Sequence, residues 1–203
     1  MIIPQYYKQI NTSMTDFEDF YKSVAKRLPN KARICEVGVA DGKSSLMLAD
    51  FMHSEGKEFT LVMVDSCDYG GKNQAHDIWT NIIQSGYKNI EFLHMGSLDA
   101  SCKFNDGYFD FVFIDASHEY EPTKADIRLW WHKVKDEGLL AGHDYFGHEQ
   151  VRSAVDELIP VSVTRSDIVG RIFEPEEVLV LMETHAGCGV WSVEKKHYVK
   201  LLN

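Results

Sequence analysis

Two aspartates and a histidine stand out because they lie at or just beyond the ends of apolar segments typical of buried strands. Asp115 follows the predicted strand 109–114, His118 lies three positions later, and Asp144 follows the predicted strand 139–143. Since neighbouring parallel strands end at the same edge of a sheet, Asp115 and Asp144 are predicted to lie close together. Two carboxylates in one cleft repel each other unless a cation or a shared proton lies between them. Mg²⁺ suits such a pair, and a bound metal ion can orient a hydroxyl group and lower its pKa.

His118 is predicted to act on the same hydroxyl group. It lies on the loop that follows Asp115, and a neutral imidazole is well matched to removing a proton near pH 7. A hydrogen-bonded structural role is the alternative for a single histidine, and the sequence leaves both interpretations open.

A glycine-containing turn within residues 33–45 is predicted to face a ligand. Gly38 and Gly42 have the spacing Gly-x-x-x-Gly, which differs from the Gly-x-Gly-x-x-Gly pattern of dinucleotide sites. Glu36 and Asp41 make this turn acidic, with Lys43 as its only cation. An acidic turn favours a ligand that carries an ammonium and a sulfonium group, such as S-adenosylmethionine, and Glu36 could bind the amino group.

Two other strand ends are predicted to complete a nucleoside site. Asp65 lies 23 positions after Gly42, where a carboxylate can accept hydrogen bonds from both ribose hydroxyls. Ser97 follows the third predicted strand and lies where adenine would be bound. Asp65 would serve a nicotinamide dinucleotide equally well, and a serine-initiated turn is the alternative for Ser97.

Helices and strands must alternate along the chain to position these residues. The predicted helices are 15–28, a segment reaching about residue 53, 77–84, 122–136 and 150–159. The predicted strands begin at residue 33 and continue with 59–64, 89–95, 109–114, 139–143, 178–182 and 189–193. This order predicts an α/β fold, a doubly wound and mostly parallel seven-stranded sheet with a C-terminal antiparallel hairpin. We expect one domain, 1–203, in which 1–30 is an N-terminal helical extension.

The composition favours an acidic, globular protein. The 203 residues carry a formal charge of −10 and no basic stripe, so neither nucleic acid nor a membrane is an expected partner. The sequence shows no signal peptide, and a soluble, cytoplasmic location is expected. The four cysteines form no Cys-x-x-Cys pair. The N-terminal helix and the hairpin could form the interface of a homo-oligomer.

From about Ile34 to Asp144 the chain resembles class I S-adenosylmethionine-dependent methyltransferases, which have a Rossmann-like fold. The resemblance rests on Glu-Val-Gly-x-x-x-Gly, the second-strand Asp65, Asp-x-x-His-x-Tyr-Glu and Gly-His-Asp-Tyr. A narrower group with these motifs includes metal-dependent sugar O-methyltransferases of macrolide pathways. This resemblance implies that Asp115, Asp144 and the residue at position 143 bind magnesium and that His118 is the base. His143 replaces an acid of that group, and histidine favours Mn²⁺, Fe²⁺ or Zn²⁺ over Mg²⁺.

The leading hypothesis is therefore an enzyme that moves the methyl group of S-adenosylmethionine to a hydroxyl of a small molecule, such as a sugar or a natural product. One alternative is a nicotinamide-dependent oxidoreductase, which the acidic turn disfavours. Another is a non-catalytic cofactor-binding domain. Aromatic residues on the predicted ligand side could form the wall of an acceptor pocket: Tyr69, Trp79, Tyr120, Tyr145 and Phe146.

Overall fold

The computed structural model describes residues 1–11, 15–68, 73–159, 163–166, 179–184 and 186–196. A short 3₁₀ turn, Tyr6–Gln9, precedes the regular elements. The helices are α1 Glu18–Arg27, α2 Lys43–Ser54, α3 Gln74–Ser85, α4 Ser97–Ser101, α5 Tyr120–Lys133 and α6 Glu149–Leu158. The strands are β1 Ala32–Val37, β2 Phe59–Asp65, β3 Ile90–His94, β4 Phe109–Ile114, β5 Val134–Gly142, β6 Val163–Ser166, β7 Leu179–Met182 and β8 Val190–Glu194.

The strands form one sheet in the order β3-β2-β1-β4-β5-β8-β7-β6. Strands β1 to β5 are parallel to one another, whereas β8 runs antiparallel to both β5 and β7. This confirms the predicted doubly wound α/β fold with its C-terminal antiparallel hairpin. The described residues form eight strands rather than seven, because Val163–Ser166 adds a short parallel edge strand to β7. The first predicted residue of the hairpin, 178, lies outside the described residues.

Apolar side chains cover both faces of the central strands, as parallel strands between two helical layers require. In β4, Phe111 and Phe113 face a core shared with α1, α2 and α3, whereas Val112 and Ile114 face a core shared with α5 and α6. The strand order reverses between β1 and β4. Ligands of doubly wound sheets bind at such a point, beyond the carboxyl ends of the strands.

The boundary between α5 and β5 differs from the prediction. The expected helix 122–136 ends at Lys133, and the next residue, Val134, already pairs with Phe109 of β4. The β4–β5 register then shifts, and Glu137 has a φ of 64°. Val134 is fully buried, so its pairing and packing outweigh the helical pattern that precedes it.

Within the described parts of the chain, every helix is too short or too polar to cross a bilayer.

Candidate functional site

A cleft of about 1150 Å³ opens at the carboxyl ends of the central strands. The loops after β1, β2, β3 and β4 form one side of it, and helix α5 forms another. Five of the predicted site residues line the cleft: Gly38, Asp65, Ser97, Asp115 and His118. The fold thus brings together residues that lie up to 80 positions apart in the sequence.

The two predicted glycines let the loop after β1 turn tightly beside β4. Both Gly38 and Gly42 have a φ of 82°, a backbone conformation that other residues rarely adopt. A Cβ atom at Gly38 would lie 2.1 Å from the carbonyl oxygen of Asp115. Only glycine therefore allows this loop to approach the end of β4.

Glu36 lies beneath the cleft wall and is fully buried. Its two carboxylate oxygens accept hydrogen bonds of 2.5 Å from the hydroxyls of Ser44 and Ser45, in the first turn of α2. Burial raises the pKa of Glu36 to about 7, although the two serine hydroxyls act in the opposite direction. In this position Glu36 joins the end of β1 to α2, whereas the sequence predicted a carboxylate facing the ligand.

Asp65 lines the cleft and also orders the loop after β1. Its Oδ2 accepts hydrogen bonds from the backbone N–H groups of Val39, at 2.9 Å, and Ala40, at 3.0 Å. Its Oδ1 accepts from the Cys67 N–H at 2.7 Å and from the Gln74 amide at 3.3 Å. These four donors use the acceptor sites of the carboxylate. A ribose hydroxyl bound here would replace one of them, and the long contact from Gln74 is the weakest.

Ser97 belongs to a partly buried group of hydrogen-bonded side chains that the sequence did not predict. Its hydroxyl donates to Asp126 at 2.5 Å and accepts from the Trp130 indole N–H at 2.8 Å. Burial raises the pKa of Asp126 to about 6, and the Ser97 hydrogen bond lowers it only in part. Both Ser97 and Asp126 line the cleft. Helix α5 thus adds a carboxyl group to the predicted adenine region.

Asp115 and Asp144 are close neighbours, as the strand pattern predicted, and His143 lies between them. Nδ1 of His143 is 3.3 Å from Asp144 Oδ1 and 3.7 Å from Asp115 Oδ1. Its Nε2 is 2.7 Å from Asp16 Oδ1 on the opposite side. Asp115 lines the cleft, whereas His143 and Asp144 are buried behind it.

The charges of Asp115, His143 and Asp144 outweigh burial in setting the pKa values of His143 and Asp144. Burial alone would lower the pKa of His143, but the hydrogen bonds and charges of Asp115 and Asp144 outweigh it and raise that pKa to about 11. Burial alone would raise the pKa of Asp144, and His143 outweighs it and lowers that pKa. The protonated ring of His143 is thus the cation that offsets the repulsion between the carboxylates of Asp115 and Asp144.

The same atoms suit a divalent ion. One ligand atom each from Asp115, His143 and Asp144 lies within 4.8 Å of the other two. Nitrogen and carboxylate oxygen donors together suit Mn²⁺, Fe²⁺ or Zn²⁺. Such an ion would replace the Nδ1 proton, since an imidazole must be deprotonated to bind a metal ion.

His118 pairs with the other oxygen of Asp144. The distance from His118 Nε2 to Asp144 Oδ2 is 2.8 Å, and the ring of His148 lies 4.0 Å from that of His118, centroid to centroid. His118 is 48% exposed at its side chain and lines the cleft. Asp144 has a φ of 64°, a strained conformation that occurs frequently at functional sites.

The predicted aromatic wall is wrong for the residues that the structure describes. Trp79 packs against Phe92, the hydroxyls of Tyr120 and Tyr145 donate to acidic residues of α6, and the ring of Phe146 packs edge-to-face against that of Tyr145. None of these four side chains lines the cleft, and Tyr69 lies outside the described residues. The aromatic residue that does line it is Phe17, from the segment before α1.

Residues 35–145, more than half of the chain, match the sequence profile of a family described as "Methyltransferase domain". The chain belongs to this methyltransferase family. Among curated proteins, none matches the sequence.

Solved structures share the fold of this methyltransferase at low sequence identity. Cofactor-bound Rv0187 from MTB is 15% identical, with a TM-score of 0.64 over 92% of this chain and 83% of its own. A candidate caffeoyl-CoA O-methyltransferase from Staphylococcus aureus is 16% identical, with a TM-score of 0.62 over 92% and 87%. A candidate methyltransferase from Streptococcus mutans in complex with SAH is 12% identical, with a TM-score of 0.60 over 91% and 99%.

The sequence did not predict three residues that the structure brings to the cleft or to the His143 cluster. Asp126 lines the cleft, Asp16 contacts His143, and the Thr184 hydroxyl donates to Asp16 Oδ2. Asp126 lies within helix α5, and the only sequence feature that could have indicated a role at the site is its position as a carboxylate among the apolar residues of that helix. Asp16 and Thr184 lie 127 and 41 positions from His143, and no local motif connects them to it.

Proposed function

We propose that this protein is an S-adenosylmethionine-dependent methyltransferase that methylates a hydroxyl group of a small molecule. The observation that carries the proposal is the extent of the cleft. Asp65 and Ser97 line it together with Asp115 and His118, so a nucleoside cofactor and a small acceptor could share it. The SAH complex from Streptococcus mutans has the same fold and supports this choice of cofactor.

The charge of the cleft favours a cationic ligand. Four carboxylates are among the described residues that line it, Asp65, Asp115, Glu119 and Asp126, against one permanent cation, Arg128. A dinucleotide would bring a pyrophosphate to this acidic surface, which the electrostatics disfavour. When bound, S-adenosylmethionine supplies a methyl group on a positively charged sulfur, and S-adenosylhomocysteine remains after transfer.

His118 is the proposed base. Because its Nε2 lies against the Asp144 carboxylate at 2.8 Å, Nε2 carries the proton of the neutral ring and donates it to that hydrogen bond. Nδ1 is then the ring atom that accepts the proton of the acceptor hydroxyl. Asp144 also stabilises the imidazolium that forms, as a carboxylate does beside a catalytic histidine.

A divalent ion would be held by Asp115, by Nδ1 of His143 and by Asp144. Since Oδ1 of Asp144 faces His143 and Oδ2 faces His118, one carboxylate can serve the ion and the base together. A bound ion would lower the pKa of the acceptor hydroxyl. The O-methyltransferase name of the Staphylococcus aureus neighbour supports a hydroxyl acceptor, and the histidine ligand favours Mn²⁺ over Mg²⁺.

The first test is calorimetric titration of the purified protein with S-adenosylhomocysteine and, separately, with NADH. We expect micromolar binding of S-adenosylhomocysteine and no heat with NADH. Binding of NADH alone would overturn the cofactor and favour the oxidoreductase alternative.

The second test follows methyl transfer from labelled S-adenosylmethionine to a panel of hydroxylated small molecules, with Mn²⁺ or with excess EDTA. Turnover that EDTA abolishes supports the metal role, and full turnover in EDTA contradicts it. Tight cofactor binding without transfer to any acceptor favours the non-catalytic alternative.

A further inference from the structure

The N-terminal segment before α1 supplies a carboxylate to the cluster around His143. We propose that Asp16 is a positioning residue of the metal site, which holds the His143 ring so that Nδ1 faces Asp115 and Asp144. The inference rests on the metal role proposed above. The sequence motifs of the site lie at the strand ends. The inference adds Asp16, which lies outside them, as a residue that positions His143.

Asp16 and His143 form a buried contact between distant parts of the chain. Asp16 Oδ1 lies 2.7 Å from His143 Nε2, and the two side chains are 6% and 8% exposed. The distance and the burial fit a charge-assisted hydrogen bond in which Nε2–H donates to the carboxylate. With Nε2 committed to Asp16, Nδ1 is the ring nitrogen left to bind an ion.

The C-terminal hairpin fixes the second oxygen of Asp16. The Thr184 hydroxyl donates to Asp16 Oδ2, and the Gly189 backbone N–H donates to the Thr184 oxygen at 2.9 Å. Each oxygen of Asp16 thus has its own partner, and the carboxylate cannot rotate without breaking one of these bonds. The orientation of His143 is therefore set by the hairpin as well as by the N-terminal segment.

The ring of His143 is also held on its face. The Phe17 ring packs against it in an edge-on arrangement, with centroids 4.9 Å apart. Because Phe17 follows Asp16 directly, one short segment both bonds Nε2 and packs against the imidazole. Nδ1 of His143, the other ring nitrogen, then lies 3.3 Å from Asp144 Oδ1 and 3.7 Å from Asp115 Oδ1.

Carboxylates that bond the distal nitrogen of a metal-binding histidine fix its tautomer and its orientation. Their loss typically costs about 10- to 100-fold in metal affinity. If Asp16 only joined two parts of the fold, its replacement would lower stability but leave the metal affinity of the folded protein unchanged. Metal affinity at equal folded fraction therefore separates the two roles.

The experiment is a titration of the full chain with Mn²⁺ alone, by calorimetry and by the electron paramagnetic resonance signal of free Mn²⁺. The variants are Asp16→Ala, Asp16→Asn and Thr184→Val. Asp19→Asn is the matched control, because Asp19 lies three positions after Asp16, in the first turn of α1, and pairs with exposed Lys22. Circular dichroism and S-adenosylhomocysteine affinity report the folded state of each protein.

We expect Asp16→Ala to bind Mn²⁺ about 10- to 100-fold more weakly than the wild type. Asp16→Asn keeps an acceptor oxygen and should lose less, and Thr184→Val should also weaken binding. Asp19→Asn should match the wild type, and S-adenosylhomocysteine affinity should stay within about twofold throughout. If Asp16→Ala does not fold, the other two variants decide the result.

Wild-type Mn²⁺ affinity in folded Asp16 and Thr184 variants would overturn the inference and leave the metal role intact. If the wild type binds S-adenosylhomocysteine but does not bind Mn²⁺, the metal role fails and the inference fails with it. In that case the cofactor assignment still stands.

Discussion

Asp65 both orders the loop after β1 and lines the cleft. It accepts hydrogen bonds from the Val39 and Ala40 N–H groups of the loop after β1, and it lines the cleft. Asp65→Ala would remove the hydrogen bonds that order this loop, together with the carboxylate proposed to accept hydrogen bonds from the ribose. We expect S-adenosylhomocysteine affinity to fall at least about tenfold, measured by calorimetry, because each charged hydrogen bond contributes about 1.5–3 kcal/mol.

The matched control for Asp65 is Asp68→Ala, a nearby exposed carboxylate. This variant should bind S-adenosylhomocysteine as the wild type does. Unchanged affinity in Asp65→Ala would show that the loop and the cofactor do not depend on this carboxylate.

Glu36 predicts a specific dependence of stability on pH. Its pKa is raised from 4.5 to about 7 by burial, so the folded state favours the protonated form. The stability that Glu36 contributes is therefore fully present below pH 4.5 and is lost as the pH rises through 7. The shift corresponds to a loss of about 3 kcal/mol or less.

Glu36→Gln removes this titration while keeping the size and the polarity of the side chain. We expect its free energy of unfolding, relative to that of the wild type, to increase as the pH rises from about 5 to about 8. Urea denaturation at several pH values measures the difference. A difference that stays constant with pH would contradict the raised pKa.

The sequence predicted those site residues whose positions follow from strand ends. Asp115 and Asp144 end parallel strands that neighbour each other in the sheet, so the alternation of apolar runs was enough to bring them together. Asp16 and Thr184 could not be found in this way, because the first precedes α1, the second follows β7, and only tertiary packing brings them to His143.

At the scale of elements, the junction of α5 and β5 shows how packing overrides a local pattern. The helical spacing continues past Lys133, but Val134 pairs with Phe109 and the chain continues as a strand. The start of β5 lies five residues before the predicted position, 134 against 139, whereas the bounds of the predicted helices differ by three residues or fewer. The α/β order was predictable because both periodicities are strong, whereas this boundary depended on contacts with β4.

Gly138 makes the irregular start of β5 possible. A Cβ atom there would lie 2.8 Å from Val134 Cγ1 and 3.0 Å from the carbonyl oxygens of Asp110 and Lys135. Gly138→Ala should therefore lower the free energy of unfolding by about 1–3 kcal/mol in urea denaturation. Gly96→Ala is the control, because Gly96 has no atom within 4 Å of that position and no positive φ. Equal stability of the two variants would contradict the close packing.

At the scale of the whole molecule, the described N-terminal residues before β1 contribute apolar side chains to the core. The sequence predicted them as a helical extension that precedes the sheet. In the structure the rings of Phe17 and Tyr21 lie 4.9 and 5.0 Å from Phe113 of β4, centroid to centroid. Phe20 is also buried against β4, with Phe111 at 6.3 Å. One face of the central strand is thus covered by the N-terminal segment.

Deletion of residues 1–30 should therefore abolish cooperative folding, since the apolar face of β4 would be left in water.

Phe20→Ala is a milder form of the same change and should lower the free energy of unfolding by about 3–5 kcal/mol. Lys26→Ala, at an exposed position of α1, should leave the stability nearly unchanged. Thermal unfolding followed by circular dichroism measures all three. A deleted chain that still unfolds in one sharp transition would mean that the sheet and the remaining helices form a sufficient core, and that the segment carrying Asp16 is required only at the site.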